Sequence, residues 1–340
     1  MSQPIDARDV TVIVLNHNGR QWLGPCLDAL RSQDARGFEV IVVDNASTDD
    51  SVVLVGNNHP EVRIVALSAN VGFAAGNNAG AREARGRMLA FLNNDTVVQP
   101  GWLEALRRPF NEDASIALTT SRIVFLDNPD VVDSAGDGYL RAGGGFKRCH
   151  GQSATRAAES GEVFGACGAA FMVRREVFED LGGFDEDFFM VYEDVDLSYR
   201  ARLRGHRAWY AADAVVHHAG SASLGTVSAR AVFLGQRNLE WTYLKNTPWP
   251  LLLRSAPAHA AYVLASGIGY AANGRLRDWL KGKGAAIAGL PAVIGKRREI
   301  QRRRDVPSSE LWARMDRDWI GVKRAEKEFD LPRAGRIDGR

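Results

Sequence analysis

The stretch Val10-Thr11-Val12-Ile13-Val14-Leu15-Asn16-His17-Asn18-Gly19 decides the fold of this chain. Its β-branched apolar run predicts a buried strand, and the polar residues that follow predict a turn. Apolar residues then recur at helical spacing over residues 22–30, which predicts a helix that ends near Gly37. Residues 38–43 form another apolar run and predict a second strand.

Strand and helix continue to alternate along the chain. Residues 62–67 and 88–92 predict further strands, and residues 76–85 predict a helix between them. This alternation indicates a parallel sheet with flanking helices. In such a sheet the ligand crevice lies at the carboxyl ends of the strands. Three polar turns fall at that edge, namely residues 16–19, 44–49 and 93–95.

The following region is richer in glycine and less periodic. Its expected strands are residues 116–120, 171–173, 208–210 and 214–216, and its expected helices are residues 175–181 and 194–204. The last expected strand leads to His217 and His218. The chain is therefore predicted to have an α/β fold.

The length and the cysteines limit the class of protein. A chain of 340 residues can hold one domain of about 240 residues and an appendage. Its three cysteines (Cys26, Cys149 and Cys167) form no C-x-x-C pair, so neither a disulfide framework nor a cysteine zinc site is indicated. The first residues lack a basic segment ahead of an apolar one, and we expect a cytoplasmic protein.

Charge is distributed unevenly along the chain. Residues 1–244 carry 23 basic and 31 acidic side chains, whereas residues 245–340 carry 20 basic and 10 acidic ones. The C-terminal part therefore has a formal charge of +10 in a chain whose net charge is +2. Such asymmetry predicts an anionic partner for this tail.

The tail begins with an apolar segment over residues 249–272. It has the length of a membrane span, but Arg254 and Pro257 make it a poor one, and we expect a broken pair of helices, interfacial or re-entrant. Basic clusters follow, and Trp249 and Trp279 stand where interfacial anchors would. We predict that residues 246–305 bind an anionic membrane surface. The adjoining apolar segment favours lipid over nucleic acid.

The turn Asn93-Asn94-Asp95 is a candidate metal site. Mg²⁺ or Mn²⁺ held by one or two carboxylates suits the charge of a departing nucleoside diphosphate. Asp95 is the first candidate ligand, Asn93 can add an amide oxygen, and Asn94 shapes the turn. The alternative is that the turn only closes a strand.

A second acidic segment, Tyr192-Glu193-Asp194-Val195-Asp196, is a candidate base site. Sugar transfer with inversion needs a carboxylate that takes the proton of the acceptor hydroxyl. We choose Asp194 for that base and expect Asp196 to cap the helix or to pair with Arg200. The alternative is that all three carboxylates only favour the positive end of a helix.

Other segments add candidate groups and exclusions. His217 or His218 can bind a metal, and the residues alone do not choose between them. The glycines and asparagines of residues 71–80 could let a helix N-terminus approach a phosphate. The chain contains no G-x-G-x-x-G, no Walker A motif and no G-x-S-x-G, which counts against dinucleotide enzymes, P-loop ATPases and α/β-hydrolases.

Taken together, these motifs resemble family 2 glycosyltransferases of the GT-A fold, in particular the bacterial rhamnosyltransferase-like branch. The resemblance covers about residues 10–245 and rests on segments that occur in the family's order: residues 11–19, 43–49, 70–80, 92–95, 182–185 and 192–196. It implies a Rossmann-like mixed sheet with flanking helices. The nucleotide-binding half would be about residues 1–100, the acceptor-binding half about 101–245, and residues 246–340 a basic, amphipathic helical tail.

The resemblance also assigns residues. It implies that Asp44 contacts the nucleotide base, that Asp194 is the acceptor-activating base, and that His218 rather than His217 joins Asn93 and Asp95 at the metal. The implied donor contacts are Leu15, Asn16, Asn18, Asp44, Asn70, Gly72, Asn78, Asn93 and Asn94. Many family members carry aspartate where this chain has Asn93, which leaves one carboxylate in this motif.

The sequence thus predicts an inverting glycosyltransferase that works at the cytoplasmic face of a membrane with Mg²⁺ or Mn²⁺. The favoured donor is dTDP-rhamnose, with a UDP-sugar as the alternative, and the acceptor is a lipid-linked or cell-envelope glycan. The chain lacks the Gln-x-x-Arg-Trp motif of processive synthases, which indicates one sugar per encounter. A hypothesis of a different class is a catalytically silent sugar- or lipid-binding module on the same fold.

Overall fold

The computed structural model of the protein describes residues 4–220 and 228–337. Its strands are β1 (Val10–Asn16), β2 (Glu39–Asp44), β3 (Arg63–Ala66), β4 (Met88–Asn93), β5 (Thr96–Val98), β6 (Ile116–Phe125), β7 (Val132–Ser134), β8 (Asp137–Tyr139), β9 (Gly145–Lys147), β10 (Gly161–Val163), β11 (Ala170–Arg174) and β12 (Arg207–His218).

The helices flank this sheet and form the tail. They are α1 (Arg20–Arg31), α2 (Ser51–Asn58), α3 (Gly72–Glu83), α4 (Trp102–Glu112), α5 (Arg175–Asp180), α6 (Glu193–Leu203), α7 (Ala229–Asn246), α8 (Trp249–Ala272), α9 (Leu276–Ala288), α10 (Leu290–Arg302), α11 (Ser308–Ala313) and α12 (Trp319–Ile337). Short 3₁₀ turns lie at Ala7–Asp9, Ala154–Ala157 and Glu186–Phe188.

The main sheet is mixed. Its strands run in the order β10-β12-β6-β11-β4-β1-β2-β3, with β5 paired to β12 and β7 paired to β6. β1 is parallel to β2 and β4, whereas β11 is antiparallel to β4 and β6. β8 and β9 form a separate hairpin. The predicted α/β fold with a mixed sheet and flanking helices is confirmed.

The core lies on both faces of this sheet. Along β1, Val12 and Val14 belong to one apolar cluster, and Ile13 belongs to the cluster on the opposite face. Side chains alternate between the two faces of a strand, and helices cover both faces here, so β1 is apolar almost throughout. The turns that follow β1, β2 and β4 are thereby fixed at one edge.

Several predicted boundaries were wrong. α3 begins at Gly72 rather than at residue 76, and β6 continues to Phe125 rather than ending at residue 120. The first helix ends at Arg31 rather than near Gly37. Gln33 is buried beyond it, where its amide donates to the Gln99 carbonyl at 2.9 Å. The expected strands at 208–210 and 214–216 are one strand, β12, because both parts pair with β6 around an irregularity between Ala211 and Val215.

The expected pair of helices in the tail was also wrong, because α8 runs unbroken through Pro257. A proline inside a helix leaves the carbonyl four residues earlier without its partner. That residue is Leu253, which is 74% exposed, so solvent can take the missing hydrogen bond. Within the described residues, no helix is both long and apolar enough to cross a bilayer.

The basic tail docks on the acidic body. Lys296 of α10 places its Nζ 2.5 Å from Asp185 Oδ1 and 2.6 Å from Asp187 Oδ2. Arg303 pairs with Asp180 in the same way. Part of the charge asymmetry that predicted an anionic partner is therefore satisfied within the chain, and the basic residues left at the surface are the relevant ones for any external partner.

Candidate active site

Asp95 and His218 face each other where β4 and β12 end. His218 Nε2 lies 3.3 Å from Asp95 Oδ1, and both side chains are more than nine-tenths buried. β12 pairs with β5, and the amide of Ala219 donates to the Asp95 carbonyl at 3.0 Å, which fixes the two segments together. The structure therefore places His218 at this position. His217 instead places its Nε2 2.8 Å from the side chain of Gln99.

Asp133 orients the His218 ring through a hydrogen bond to the ring nitrogen that does not face Asp95. Its Nδ1 lies 2.8 Å from Asp133 Oδ2, and Lys147 Nζ donates to Asp133 Oδ1 at 2.7 Å. Burial opposes protonation of the imidazole, but the hydrogen bonds to Asp133 and Asp95 raise the pKa of His218 to about 9. Burial would raise the pKa of Asp133, yet the charge of Lys147 holds it well below its usual range. Each carboxylate here has a cationic partner.

Asp44 lies at the carboxyl end of β2. It is 5% exposed, and its Oδ2 accepts from the Ser47 amide at 3.2 Å. Its Oδ1 is buried and has no hydrogen-bond partner among the described residues. A buried carboxylate oxygen without a partner is costly, so a ligand N–H would stabilise it.

The turn after β1 is linked to both neighbouring turns. Asn16 donates to Ser47 Oγ at 3.1 Å and accepts from Asn94 Nδ2 at 2.7 Å. Asn18 has a positive φ of 52°, and its Oδ1 accepts from the Thr48 amide at 2.7 Å. Leu15 packs against α3, because a Cβ added at Gly76 would meet its Cδ1. The polar turns predicted to meet at one edge do meet there.

The start of α3 is engaged by protein groups. The amides of Phe73 and Ala74 donate to the Phe189 carbonyl at 2.6 and 3.1 Å. Gly72 is required at this contact, because its φ is +87° and a Cβ would lie 2.5 Å from the same carbonyl. These amides are therefore not free for the phosphate contact that the sequence suggested.

Two asparagines expected to bind the donor make hydrogen bonds to other groups of the protein. Asn70 Oδ1 accepts from Asn45 Nδ2 at 3.1 Å and from the Gly72 amide at 3.0 Å. Asn78 donates to the Phe184 carbonyl at 2.9 Å and accepts from the Phe184 amide, also at 2.9 Å. Both side chains position loops at the edge of the site.

Asp194 lies in the first turn of α6. Its Oδ2 accepts from the Gly168 amide and its Oδ1 from the Val195 amide, both at 2.7 Å. Burial is the largest influence on this carboxyl and raises its pKa, although the backbone hydrogen bonds oppose the shift. Asp194 is thus oriented by two amides and has a higher proton affinity than an ordinary aspartate.

The neighbouring carboxyls behave differently. Asp196 pairs with Arg200 at 2.8 Å, as the sequence predicted, and also with Lys245 at 2.8 Å. Glu193 is buried, and burial together with the charge of Asp194 raises its pKa well above the usual value. The three acidic side chains in the first turn of α6 therefore have three distinct environments.

The loop that precedes Asp194 has a strained backbone. Phe189, Val191 and Tyr192 have φ values of 63°, 69° and 77°, which is rare for bulky or β-branched residues. Asn238 of α7 stabilises the loop, since its Nδ2 donates to the Met190 and Val191 carbonyls at 2.9 and 2.7 Å. Sequence reasoning missed Asn238, because a polar residue in a helix carries no sign of a distant loop.

Sequence reasoning also missed Asp133, Asp137 and Lys147. They lie on the short strands β7, β8 and β9, in the region that showed little periodicity. Asp137, Cys167 and Asp194 each bring a potential ligand atom within 4.8 Å of the others, close enough to hold a metal ion. The spacing of these residues follows no motif, so only the folded chain brings them together.

The chain belongs to glycosyl transferase family 2, whose model matches residues 11–182. It is 30% identical over 268 residues to the pre-mycofactocin glycosyltransferase of Mycobacterium tuberculosis, covering 76% of this chain and 51% of that protein. It is also 30% identical over 258 residues to the O-antigen biosynthesis protein RfbC of Myxococcus xanthus, covering 71% of this chain and 19% of that protein. The chain thus spans about half or less of these relatives.

Solved structures share the fold. The mannosyltransferase PcManGT of Pyrobaculum calidifontis, in complex with GDP-Man and Mn²⁺, matches with a TM-score of 0.53 and 19% identity, covering 91% of this chain and 80% of that one. TarS 1–349 of S. aureus, in complex with UDP-GlcNAc, matches with a TM-score of 0.58 and 17% identity, covering 86% and 88%. The expected GT-A family 2 fold is thereby confirmed, whereas the rhamnosyltransferase branch stays a prediction.

Proposed function

We propose that this protein transfers one sugar per encounter, with inversion, from a nucleoside diphosphate donor to an acceptor hydroxyl. The observation that carries the proposal is the position of two unlike sites at one edge of the sheet. β4 runs into the turn that bears Asp95, and its last amide, that of Asn93, donates to the Ala169 carbonyl at 2.9 Å. Ala169 follows Gly168, whose amide holds Asp194.

Asp194 is the proposed base. Its carboxylate takes the proton of the acceptor hydroxyl while that oxygen attacks the anomeric carbon and the bond to the diphosphate breaks. The two backbone amides fix the direction of the carboxylate, and burial keeps its proton affinity high. The buried surroundings also limit competition from water.

Asp95 and His218 are the proposed metal ligands, with Asn93 as a further oxygen donor. The residues fit a divalent cation because Asp133 turns His218 toward Asp95, and carboxylates commonly orient metal-binding imidazoles in this way. Mg²⁺ or Mn²⁺ bound there would stabilise the charge of the leaving diphosphate. The relationship to PcManGT, a structure with Mn²⁺, is compatible with this proposal.

Asp44 is the proposed contact for the nucleotide base. Its buried Oδ1 needs a donor, which the ring N–H of thymine, uracil or guanine supplies, whereas the corresponding ring nitrogen of cytosine is an acceptor. dTDP-rhamnose is the favoured donor from the resemblance of the motifs. A UDP-sugar is the alternative, and the complex of TarS with UDP-GlcNAc favours it.

A binding panel tests the proposed function. Calorimetry with dTDP, UDP, GDP and CDP and with their sugars, each with and without Mn²⁺, is expected to show metal-dependent binding of one thymine or uracil nucleotide and little binding of CDP. Equal affinity for CDP would contradict the choice of a thymine or uracil base, because the exocyclic amine of cytosine can also donate to Asp44. Absence of binding across the panel would favour the alternative hypothesis of a catalytically silent sugar- or lipid-binding module.

We propose that the acceptor is a lipid-linked or cell-envelope glycan at the cytoplasmic face of a membrane. The relationship to an O-antigen biosynthesis protein favours such an acceptor. The tail adds a physical reason, since α8 and α9 leave large apolar side chains at the surface. They are Trp249, Leu253, Leu264, Ile268, Leu276, Leu280 and Ile287.

These side chains form one stripe on each helix. The residues of α8 follow one another at spacings of four and eleven residues, and those of α9 at four and seven, which returns them to the same face. Exposed basic residues accompany them, namely Arg277, Lys281, Arg298 and Arg302. Apolar stripes on α8 and α9, together with exposed cations on α9 and α10, fit an anionic lipid surface.

Point substitutions test this surface better than deletion of the tail, because deletion would expose buried Lys245 and its ion pairs. The triple variant Leu253→Glu, Ile268→Glu, Leu280→Glu should cosediment with phosphatidylglycerol vesicles at least about tenfold more weakly than the wild type. Val53→Glu is the control, since Val53 is 58% exposed but lies on α2. Equal binding by all three proteins would remove the membrane assignment.

A further inference from the structure

Asp137 is a buried carboxyl that the proposed mechanism does not use. It lies on β8, is 4% exposed, and its Oδ1 has no hydrogen-bond partner among the described residues. A carboxyl oxygen that is buried without a partner is destabilising when the group is ionised. A proton on the Asp137 carboxyl, or a ligand that binds it, would therefore stabilise the folded protein.

The groups around Asp137 are mostly acidic. Asp194 from α6 and Cys167 from the loop before β11 each bring a side-chain atom within 4.8 Å. Glu326 from α12 and Asp133 from β7 add further negative charge. Lys147 from β9 is the cation that faces Asp137 across the β8–β9 hairpin.

Lys147 is already committed to another carboxylate. Its Nζ lies 2.7 Å from Asp133 Oδ1, and Asp133 in turn holds His218. Among the described residues, Asp137 and Asp194 therefore share the charge of Lys147 with Asp133 and have no cation of their own. Asp137 is buried and Asp194 is partly buried, and two carboxylates so close cannot both ionise at ordinary cost. Burial with the charge of Asp194 raises the pKa of Asp137 well above its usual value.

We propose that Asp137 and Asp194 hold one proton between them, and that Asp137 is the positioning residue of the base. This inference rests on the proposed function. In the resting state Asp137 keeps the proton and directs its O–H toward the Asp194 carboxylate. Asp137 touches no substrate in this scheme and acts through Asp194.

A metal ion is a weaker occupant of this cluster than a proton. Both oxygens of Asp194 already accept backbone hydrogen bonds, at 2.7 Å each. Burial raises the pKa of the Cys167 thiol well above its usual value, so the sulfur stays protonated and is a poor ligand. The proposed ligands Asp95 and His218 are separate from this cluster, because the carboxylate that contacts His218 Nδ1 is Asp133 and not Asp137.

The proton balance of the reaction follows from this arrangement. The acceptor O–H bond breaks and its proton passes to Asp194, while the acceptor oxygen bonds the anomeric carbon and the diphosphate leaves with the electron pair. The pair then holds two protons and carries no charge. One proton returns to water after the products leave, which restores the singly protonated pair.

Carboxyl NMR of the full-length protein labelled with ¹³C-aspartate tests the shared proton without any activity. Between about pH 6 and pH 8, where ordinary aspartates are ionised, the wild type should show one protonated aspartate that is missing in Asp137→Asn. Its persistence in Asp137→Asn, or its absence from the wild type, would overturn the proposal. So would its loss on addition of Mg²⁺ or Zn²⁺, which would place a cation in the pair.

Donor hydrolysis in the absence of acceptor gives a second readout, with UDP-GlcNAc and dTDP-rhamnose as probes. Asp137→Asn should lower kcat about tenfold with KM within about twofold, and should move the acid limb of the pH profile to higher pH, because an amide is a weaker hydrogen-bond donor to the Asp194 carboxylate than the O–H of Asp137. Asp137→Leu should lower kcat further. The exposed control Asp130→Asn should keep the wild-type kcat and pH profile.

A changed KM with an unmoved pH profile in Asp137→Asn would show a structural role only and overturn the inference. The two tests separate the two proposals. If the nucleotide panel fails while the NMR signal is present, the proposed function is wrong and the shared proton stands. If donors bind and turn over but the protonated aspartate is missing, the proposed function stands and the inference falls.

Discussion

The two ends of the candidate site differ in how their carboxylates are balanced. At one end Asp95 and Asp133 flank His218, and Lys147 contacts Asp133 at 2.7 Å. At the other end Asp194 lies near Asp137 with two backbone amides as its polar partners. Negative charge is compensated at the first end and in surplus at the second.

This difference teaches how one crevice can carry out two tasks. The carboxylate that orients a metal-binding histidine must stay ionised, and the charge of Lys147 favours that by lowering the pKa of Asp133. A base must accept a proton near neutral pH, and burial favours that by raising the pKa of Asp194. Variants of the first end should therefore change donor affinity, and variants of the second should change turnover.

Asp194→Asn should have the largest effect. An amide cannot accept the proton of the acceptor, so kcat should fall by about 10³-fold or more, with donor affinity nearly unchanged. Steady-state kinetics together with calorimetry of the nucleotide would measure both. Glu193→Gln is the control, because Glu193 is the adjacent carboxyl and burial with the charge of Asp194 raises its pKa well above the usual value, which disfavours its charged form. Retained turnover in Asp194→Asn would refute the base assignment.

Asp95→Ala should come next. Losing the carboxylate that faces His218 should weaken metal-dependent donor binding about 100-fold, with little change in affinity measured without metal. A titration of donor at several Mn²⁺ concentrations would show this. The exposed Asp34→Ala should behave like the wild type. Unchanged donor affinity at saturating metal would remove Asp95 from the ligand set.

Asn238→Ala should have the smallest effect and act only at the base end. Losing the Asn238 amide leaves the carbonyls of Met190 and Val191 without this donor. The strained loop should then relax, and the Asp194 carboxylate should shift from its orientation. We expect kcat to fall about tenfold with unchanged donor affinity. Asn273→Ala, at the exposed end of α8, is the control. A fall in donor affinity without a fall in kcat would contradict the assignment of Asn238 to the base end of the site.

The sequence predicted the elements whose signals are local. Strands such as β1 and β4 are buried on both faces and read as continuous apolar runs, and the polar turns after them could be assigned to one edge. The same reasoning missed the unbroken α8, because proline is a local signal against a helix and the exposure of Leu253 is a tertiary fact.

The tail shows the same limit. Counting charges predicted an anionic partner, and the apolar segment predicted a surface role. The count could not reveal that Lys296 pairs with Asp185 and Asp187, or that Lys245 lies 2.8 Å from Asp196, on the helix that bears the candidate base. These pairs join residues far apart in the chain.

By itself, the sequence determined the α/β alternation, the edge at which the polar turns meet, and the candidate groups Asp95, Asp194 and the histidine pair. Each of these is encoded in a short segment with its own periodicity or polarity. Only the tertiary structure decided that His218 and not His217 faces Asp95, and that Asp137 faces Asp194. The physical reason is that charge balance and burial, which set the proton affinity of a carboxyl, depend on neighbours in space rather than in sequence.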